Sequence, residues 1–164
     1  VGYEGKPMAR ITRLTTGRVV DFGIKDANNM GASMAPAAAH TISQHLKDFE
    51  EEPEAYDRIF TGDLGQYGLQ LAGELVERDG YDIKDRLSDC GLIVYDRESQ
   101  DVHAGGSGCG SSALTLVNYI LPAMMEGQYR KVLFVPTGAL LSPLSTQQGE
   151  SIPGIAQAVV LEAV

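Results

Sequence analysis

Cysteine, tryptophan and long apolar runs are scarce in this chain of 164 residues, and each shortage excludes a class of protein. The two cysteines, Cys90 and Cys109, fit neither a metal-ligand spacing nor a disulfide scaffold, so a reducing compartment is expected. No apolar run approaches the roughly 18 residues that a membrane-spanning helix needs. Segment 1–10 lacks the apolar centre of a secretory signal and has no initiator Met, which predicts a piece of a longer protein.

Positive charge is also in short supply. The chain carries 13 Lys and Arg against 22 Asp and Glu, for a net charge of −9. Repulsion of that sign argues against nucleic acid and anionic membrane surfaces as direct partners. A small anionic ligand remains compatible with the sequence, because a few local donors can outweigh the field of the whole protein.

The hydrophobic pattern of the sequence predicts strands that alternate with helices along the chain. Such alternation predicts a single layered α/β domain with a mixed sheet. Because the last two strands join without a long helix between them, at least one strand pair is expected to be antiparallel. We predict a long exposed loop over 142–155, a solvated acidic run over 50–54, Pro36 in the first turn of its helix, and a helix end at Gly80. The predicted strands are 9–24 (one strand, or two around Gly17), 57–64, 90–96 (a strand or another apolar core segment), 131–140 and 156–164. The predicted helices are 35–49, 68–80 and 111–128.

A glycine-rich stretch, VHAGGSGCGSSALTL (102–116), leads into the last of these helices. Glycines let a ligand approach the backbone, and a helix start favours an anion, with Ser111 and Ser112 as caps that also donate to it. The alternative is a tight turn that only needs positive φ. The GxGxG pattern over 106–110 is neither a Walker A loop nor a strict dinucleotide fingerprint.

Several single residues invite a chemical role, and each also has a plain structural one. Cys109 at a helix start is a candidate nucleophile with His103 as its base, or a small packing residue. Cys90, within an apolar segment, is predicted to be a core residue. His40 and His45 are spaced poorly for joint metal ligation and are predicted to lie on the surface. Other polar residues are candidate ligand contacts or helix caps: Asp63, at a strand end, and Asp26, Asn28 and Asn29, before the first helix.

Six stretches together resemble a known family. In chain order they resemble the C-terminal half of the stage V sporulation protein AD family, which belongs to the thiolase-like superfamily. The resemblance implies that residues 1–164 form one half of a two-half protein, with a five-stranded mixed sheet and helices packed on it. The stretches are VVDFGIKDANNMGASMAPAAAHTI (19–42), FTGDLG (60–65), DCGLIVY (89–95), AGGSGCGSSA (104–113), PTGALLSP (136–143) and SIPGIAQAVVLE (151–162).

The same resemblance implies that the chain is not an enzyme. Thiolases use an Asn, a His and a Cys from this half, and Claisen chemistry needs such an oxyanion donor and acid/base group. Here the Asn position reads Gly62, the His loop reads 104–108 without a matching His, and the Cys loop reads 137–140 without Cys. His103 lies next to the His position but out of register.

The resemblance finally implies a ligand and partners. The ligand is dipicolinic acid (pyridine-2,6-dicarboxylate), with calcium only as the chelate of that ligand and no other cofactor. Expected partners are the chain's own N-terminal half, other stage V sporulation A proteins in the membrane, and further copies of itself. The expected location is the cytoplasm or the inner membrane surface of the forespore. The predicted ligand-binding residues are Gly106, Ser107, Gly108, Cys109, Ser111, Asp63, Thr137 and Ser142.

Two alternatives stay open. One is an acyl-transferring, ketosynthase-like enzyme that uses Cys109 with His103. The other is a structural scaffold that docks on membrane partners through an exposed apolar patch.

Overall fold

The computed structural model describes residues 7–106 and 108–164. Ser107, one of the predicted ligand contacts, lies outside the described residues. The strands are β1 (Ala9–Thr15), β2 (Arg58–Thr61), β3 (Leu87–Asp89), β4 (Lys131–Val135), β5 (Thr137–Ala139), β6 (Gly154–Ala156) and β7 (Ala158–Ala163). The α-helices are α1 (Met30–Asp48), α2 (Gly65–Arg78), α3 (Cys90–Ile93), α4 (Ser111–Thr115), α5 (Leu121–Met125) and α6 (Pro143–Gln147).

The predicted five-stranded mixed sheet is confirmed. Its strand order is β1-β7-β4-β2-β3, and β5 pairs with β6 in a separate two-stranded sheet. Strand β2 runs parallel to both β3 and β4, whereas β7 runs antiparallel to β4 and to β1. The antiparallel pairing of β4 with β7 confirms the expectation drawn from the missing long helix between them.

Alternate residues of each strand point to opposite faces of the sheet, and each face is covered by different helices. Ile59 of β2 belongs to the core that α1 and α2 cover, with Leu133 of β4 beside it. Phe60 and Phe134 belong to a second core on the other face, together with residues of the 111–125 helical segment. The three layers therefore form because the strands are apolar on both sides.

The helical segment after the glycine-rich stretch is not uniform. Helix α4 passes into a π-helical turn over Leu116–Ile120 and then into α5. Pro122 lies at the start of α5 and has no N–H to donate, so the wider turn just before it is where the regular pattern gives way. The predicted helix 111–128 is thus confirmed in place, but it ends at Met125.

Two predicted segments are wrong in their secondary structure. The strand predicted over 90–96 is a short helix, α3, because Asp89 ends β3 and its carboxylate accepts the N–H of Gly91 as a helix cap. The loop predicted over 142–155 contains α6 and β6. Ser142 caps α6 by accepting the Ser145 N–H, and Pro143 occupies the first helical position, where its missing N–H costs little.

Strand and helix bounds differ at three further places. The predicted strand 131–140 is interrupted at Pro136, which separates β4 from β5. The predicted strand 9–24 ends at Thr15, and beyond it only Val20 makes an isolated bridge, to Gly154. Helix α1 begins at Met30, so Pro36 lies inside the helix and its predicted place in the first turn is wrong.

Two helix-end predictions are confirmed. Asn29 is the N-cap of α1, and its side chain accepts the Ala32 N–H. Gly80 follows the end of α2 with a φ of +100°, a conformation that glycine adopts without steric cost.

A buried polar cluster contradicts two surface predictions. His45 is fully buried, and its ring nitrogens lie 2.7 Å from Thr15 Oγ1 and 2.7 Å from Tyr56 Oη. Because Tyr56 donates its hydroxyl proton to Glu51, it accepts from His45 Nε2, and Thr15 therefore donates to Nδ1. Glu51, in the run predicted to be solvated, also pairs with Arg13 and Lys131.

Burial alone would raise the pKa of Glu51. Hydrogen bonds from Lys131, Tyr56 and Arg13 outweigh that effect and hold the pKa at about 2. Burial lowers the pKa of the His45 imidazole to about 4. The cluster therefore holds a neutral imidazole next to a paired carboxylate at neutral pH.

Candidate functional site

The carboxyl ends of β2, β3 and β4 meet at one edge of the sheet, because these three strands are parallel neighbours. Ligands in open α/β sheets bind at such strand ends. A cavity of about 290 Å³ opens there, between the start of α1, the start of α2 and the glycine-rich stretch. Its lining includes Asn28, Asn29, Gly31, Asp63, Tyr67 and Gly106.

Asp63 joins three of the turns around this cavity. Its Oδ2 accepts the Gly108 N–H at 3.0 Å, and its Oδ1 accepts the Thr137 hydroxyl at 3.2 Å. The structure therefore brings together three of the predicted ligand-binding residues, which lie far apart in the sequence. It also shows that both carboxylate oxygens of Asp63 already have donors from the protein.

Gly62 lies where these turns are closest. A Cβ at this position would be 2.5 Å from Thr137 Oγ1 and 3.0 Å from Ser112 Oγ. No side chain fits there without moving those neighbours. The turn after β2 is thus packed directly against the start of β5.

The glycine-rich stretch uses much of its backbone internally. Gly105 and Gly106 donate their N–H groups to the carbonyls of Val102 and Gly91, at 2.9 and 2.7 Å. Gly105 has a φ of +123° and Gly108 a φ of +135°, so the tight turn requires glycine at both positions. The N–H groups of Gly106 and Gly108 are therefore already bonded within the protein.

The remaining predicted contacts lie in different surroundings. Ser111 is buried, and α4 begins without a side-chain cap, so the predicted capping by Ser111 and Ser112 is wrong. The backbone N–H of Ser111 donates to Gly108 instead. Cys109 is exposed. Ser142, the N-cap of α6, is hydrogen-bonded to Ser145 and is not among the residues that line the cavity.

The cysteine and histidine pair of the enzyme alternative is not assembled. The His103 side chain is 90% exposed, and its nearest charged neighbour is Asp101, at 3.8 Å. Among the contacts of the described residues, no hydrogen bond joins His103 to Cys109. Cys90 is fully buried, and burial raises the pKa of its thiol to about 12, which confirms it as a core residue.

The start of α1 is the part of the site that sequence reasoning missed. Asn29 takes the Ala32 N–H, and the N–H groups of Met30 and Gly31 belong to the first turn, which has no intrahelical acceptors. Asn28, Met30 and Gly31 all line the cavity. The stretch DANNMG contained part of the signal, since its asparagines are candidate ligand contacts as well as helix caps, but the backbone N–H groups of Met30 and Gly31 were not predicted.

The start of α2 differs from that of α1. Its first N–H groups, from Leu64 and Gly65, donate to the buried carboxylate of Asp89, and the Gln66 N–H donates to the Ala104 carbonyl. Among the described residues, the first turn of α1 lacks the acceptors that the start of α2 has, and the positive end of a helix favours an anion.

The described part of the chain contains no cluster of three His, Cys, Asp or Glu side chains suited to hold a metal ion. Within residues 7–106 and 108–164, no helix combines the length and apolar character needed to cross a membrane.

The fold defines a mixed α/β protein with a cavity at the carboxyl ends of its parallel strands. The model of the family "Stage V sporulation protein AD (SpoVAD)" matches residues 2–162. The chain is also 46% identical over 153 residues to the Stage V sporulation protein AD of Bacillus subtilis (strain 168). The chain belongs to the stage V sporulation protein AD family, as the resemblance predicted.

That alignment covers 93% of this chain and 45% of the Bacillus subtilis protein. The chain therefore spans less than half the length of this relative. The family is named for a stage of sporulation and not for a reaction.

Proposed function

We propose that the chain forms a non-catalytic binding site for dipicolinic acid within a sporulation protein. The observation that carries this proposal is the cavity at the strand ends, whose wall contains the open first turn of α1. A helix start of this kind favours a carboxylate, and family membership makes dipicolinate the carboxylate to test first.

The dimensions and chemistry of the cavity suit a small planar dianion. Its volume of about 290 Å³ is at the lower end of the range for small-molecule sites. One carboxylate would accept from the N–H groups of Met30 and Gly31 and from the side-chain amide of Asn28. Apolar side chains in the lining, Leu64 and Val102, together with the ring of Tyr67, would pack against the pyridine ring.

Asp63 limits how calcium can take part. A free carboxylate in the cavity would repel a dianion, but both oxygens of Asp63 accept hydrogen bonds from Gly108 and Thr137. These bonds spread its negative charge over neighbouring donors. Calcium would accordingly enter as the chelate of the ligand, with the ligand supplying most of its coordination.

The described residues at the positions that resemble the thiolase catalytic set favour binding without chemistry. The position that resembles the catalytic Asn is Gly62, where the packing leaves no room for a side chain. The acid and base that carbon–carbon bond formation needs are not provided by His103, whose side chain lies in solvent.

A specific surface also supports docking on protein partners. Leu114, Val117 and Met125 are each more than half exposed, and with the half-buried Leu121 they form an apolar stripe along the 111–125 helical segment. We propose that the chain's own N-terminal half covers this stripe, as in a two-half thiolase-like protein. Membrane proteins of the stage V sporulation A group would then bind elsewhere on the chain, and the proposed location is the cytoplasm or the inner membrane surface of the forespore.

Calorimetric titration of dipicolinate into the chain, with and without calcium, tests the proposed function. We expect saturable binding that becomes roughly tenfold weaker in Asn28→Asp, because a new charge about 5 Å from the ligand repels it. Asn118→Asp adds the same charge on an exposed helix outside the cavity lining and should bind like the wild type. No heat in either calcium condition would contradict the proposal for this chain.

A further inference from the structure

The buried carboxylate of Asp89 holds several turns of the candidate site together. Asp89 is 1% exposed and ends β3, directly beside Thr61 at the end of β2. Its Oδ2 accepts the Thr61 hydroxyl at 2.8 Å and the Leu64 N–H at 2.9 Å. Its Oδ1 accepts the N–H groups of Gly65 and Gly91, both at 3.1 Å.

These bonds extend to the cavity wall through the backbone. Leu64 follows Asp63 directly, so the position of its N–H determines where the Asp63 carboxylate lies. Gly91 also donates to the Gly62 carbonyl at 3.1 Å, and its own carbonyl accepts the Gly106 N–H at 2.7 Å. One side chain thus links the turn after β2, the turn after β3 and the glycine-rich stretch.

Local packing shows that these turns have little freedom. A Cβ on Gly91 would lie 2.2 Å from the Gly106 carbonyl oxygen, so the two backbones are in direct contact. Gly65 has a φ of +65°, and the Gln66 N–H after it donates to Ala104 at 2.8 Å. In this arrangement the N–H groups of Leu64, Gly65 and Gly91 all have acceptors, and losing one would leave a buried donor unpaired.

We propose that Asp89 is the positioning residue of this site: its carboxylate holds the Asp63 turn and the glycine-rich stretch in the geometry that forms the cavity wall, without touching the ligand. This inference rests on the proposed function for the identity of the ligand, and on the hydrogen bonds alone for the positioning role.

The experiment compares Asp89→Asn with Val76→Ala, a core change near the opposite end of α2 that weakens the fold away from the site. In Asp89→Asn an amide NH₂ group replaces one carboxylate oxygen and would face backbone N–H groups that need an acceptor. We therefore expect amide hydrogen exchange at Gly65 and Gly106 to become about tenfold faster or more, with dipicolinate bound about tenfold more weakly. Val76→Ala should lower Tm without these local effects.

Thr61→Val removes a single donor to Asp89 and keeps the side-chain shape, so it provides the same test if Asp89→Asn does not fold. Its effect on exchange and binding should have the same direction and be smaller. If the wild type binds no dipicolinate but exchange accelerates as described, the positioning role stands and the ligand assignment fails. Exchange at Gly65 and Gly106 that does not differ from that of Val76→Ala would overturn the positioning role.

Discussion

Gly31→Ala is expected to lower the free energy of unfolding by about 2 kcal/mol, the cost of forcing a methyl group into a filled space. A Cβ on Gly31 would lie 2.2 Å from the Leu64 carbonyl oxygen and 3.2 Å from the Gly68 Cα. Both neighbours are backbone atoms, so α1 and α2 would have to separate. Thermal unfolding should show a Tm lower by roughly 4–8 °C.

The matched control for this change is Gly73→Ala in α2. Its nearest neighbour would be Leu87 Cδ2 at 3.5 Å, an ordinary contact. Because alanine favours the helix, this variant should gain about 0.5–1 kcal/mol. Equal Tm changes in the two variants would contradict the close approach of α1 and α2. Since Gly31 also lies in the cavity wall, its variant should weaken dipicolinate binding as well.

Acidification from pH 7.5 to 5 is expected to destabilise the protein by about 2 kcal/mol through His45. Burial, together with the charges of Arg13 and Lys131, lowers the pKa of His45 from 6.5 to about 4 in the folded state. The unfolded chain therefore binds more protons between these two values, and the free energy of unfolding falls as the pH falls. Protonation of His45 at Nδ1 would also break the hydrogen bond in which Nδ1 accepts the Thr15 hydroxyl.

The matched variant for this prediction is His45→Gln, which removes the titration. Denaturant unfolding at several pH values should give a flatter profile for this variant, even though it is less stable overall. The pKa of Glu51 is lowered from 4.5 to about 2, so its contribution to the free energy of unfolding is lost only below pH 4.5, outside the range from pH 7.5 to 5. His40, whose pKa is lowered by burial, remains in both proteins. Parallel profiles in the two proteins would contradict the account of the cluster.

The parts of the fold that sequence reasoning recovered have strong local patterns. Strand β4 and helix α2 were predicted because their apolar residues recur at the spacing of a strand and of a helix. The segment after Asp89 was misassigned, since CGLIVY is apolar throughout and such a run does not distinguish a buried strand from a helix. A local signal for the helix was Asp89, a residue type that favours the N-cap position, whose side chain accepts the Gly91 N–H.

The burial of residues whose contacts come from distant parts of the sequence could not be predicted from local patterns. The burial of His45 depends on Tyr56 and Thr15, which the sheet order brings to it from separate elements. The site was recovered in part for the same reason. Asp63 and Thr137 do meet, but the wall formed by the first turn of α1 depends on how α1 crosses α2 at Gly31 and Gly68.

The most direct test of the central claim is a ¹⁵N–¹H NMR titration of the chain with dipicolinate. We predict saturable shifts of the amides of Met30, Gly31 and Gly106 around the cavity, with unchanged amides near the end of α1 at Lys47 and Asp48. Shifts confined to the 111–125 helical segment, or no shifts at saturating ligand, would contradict a dipicolinate site at the strand ends.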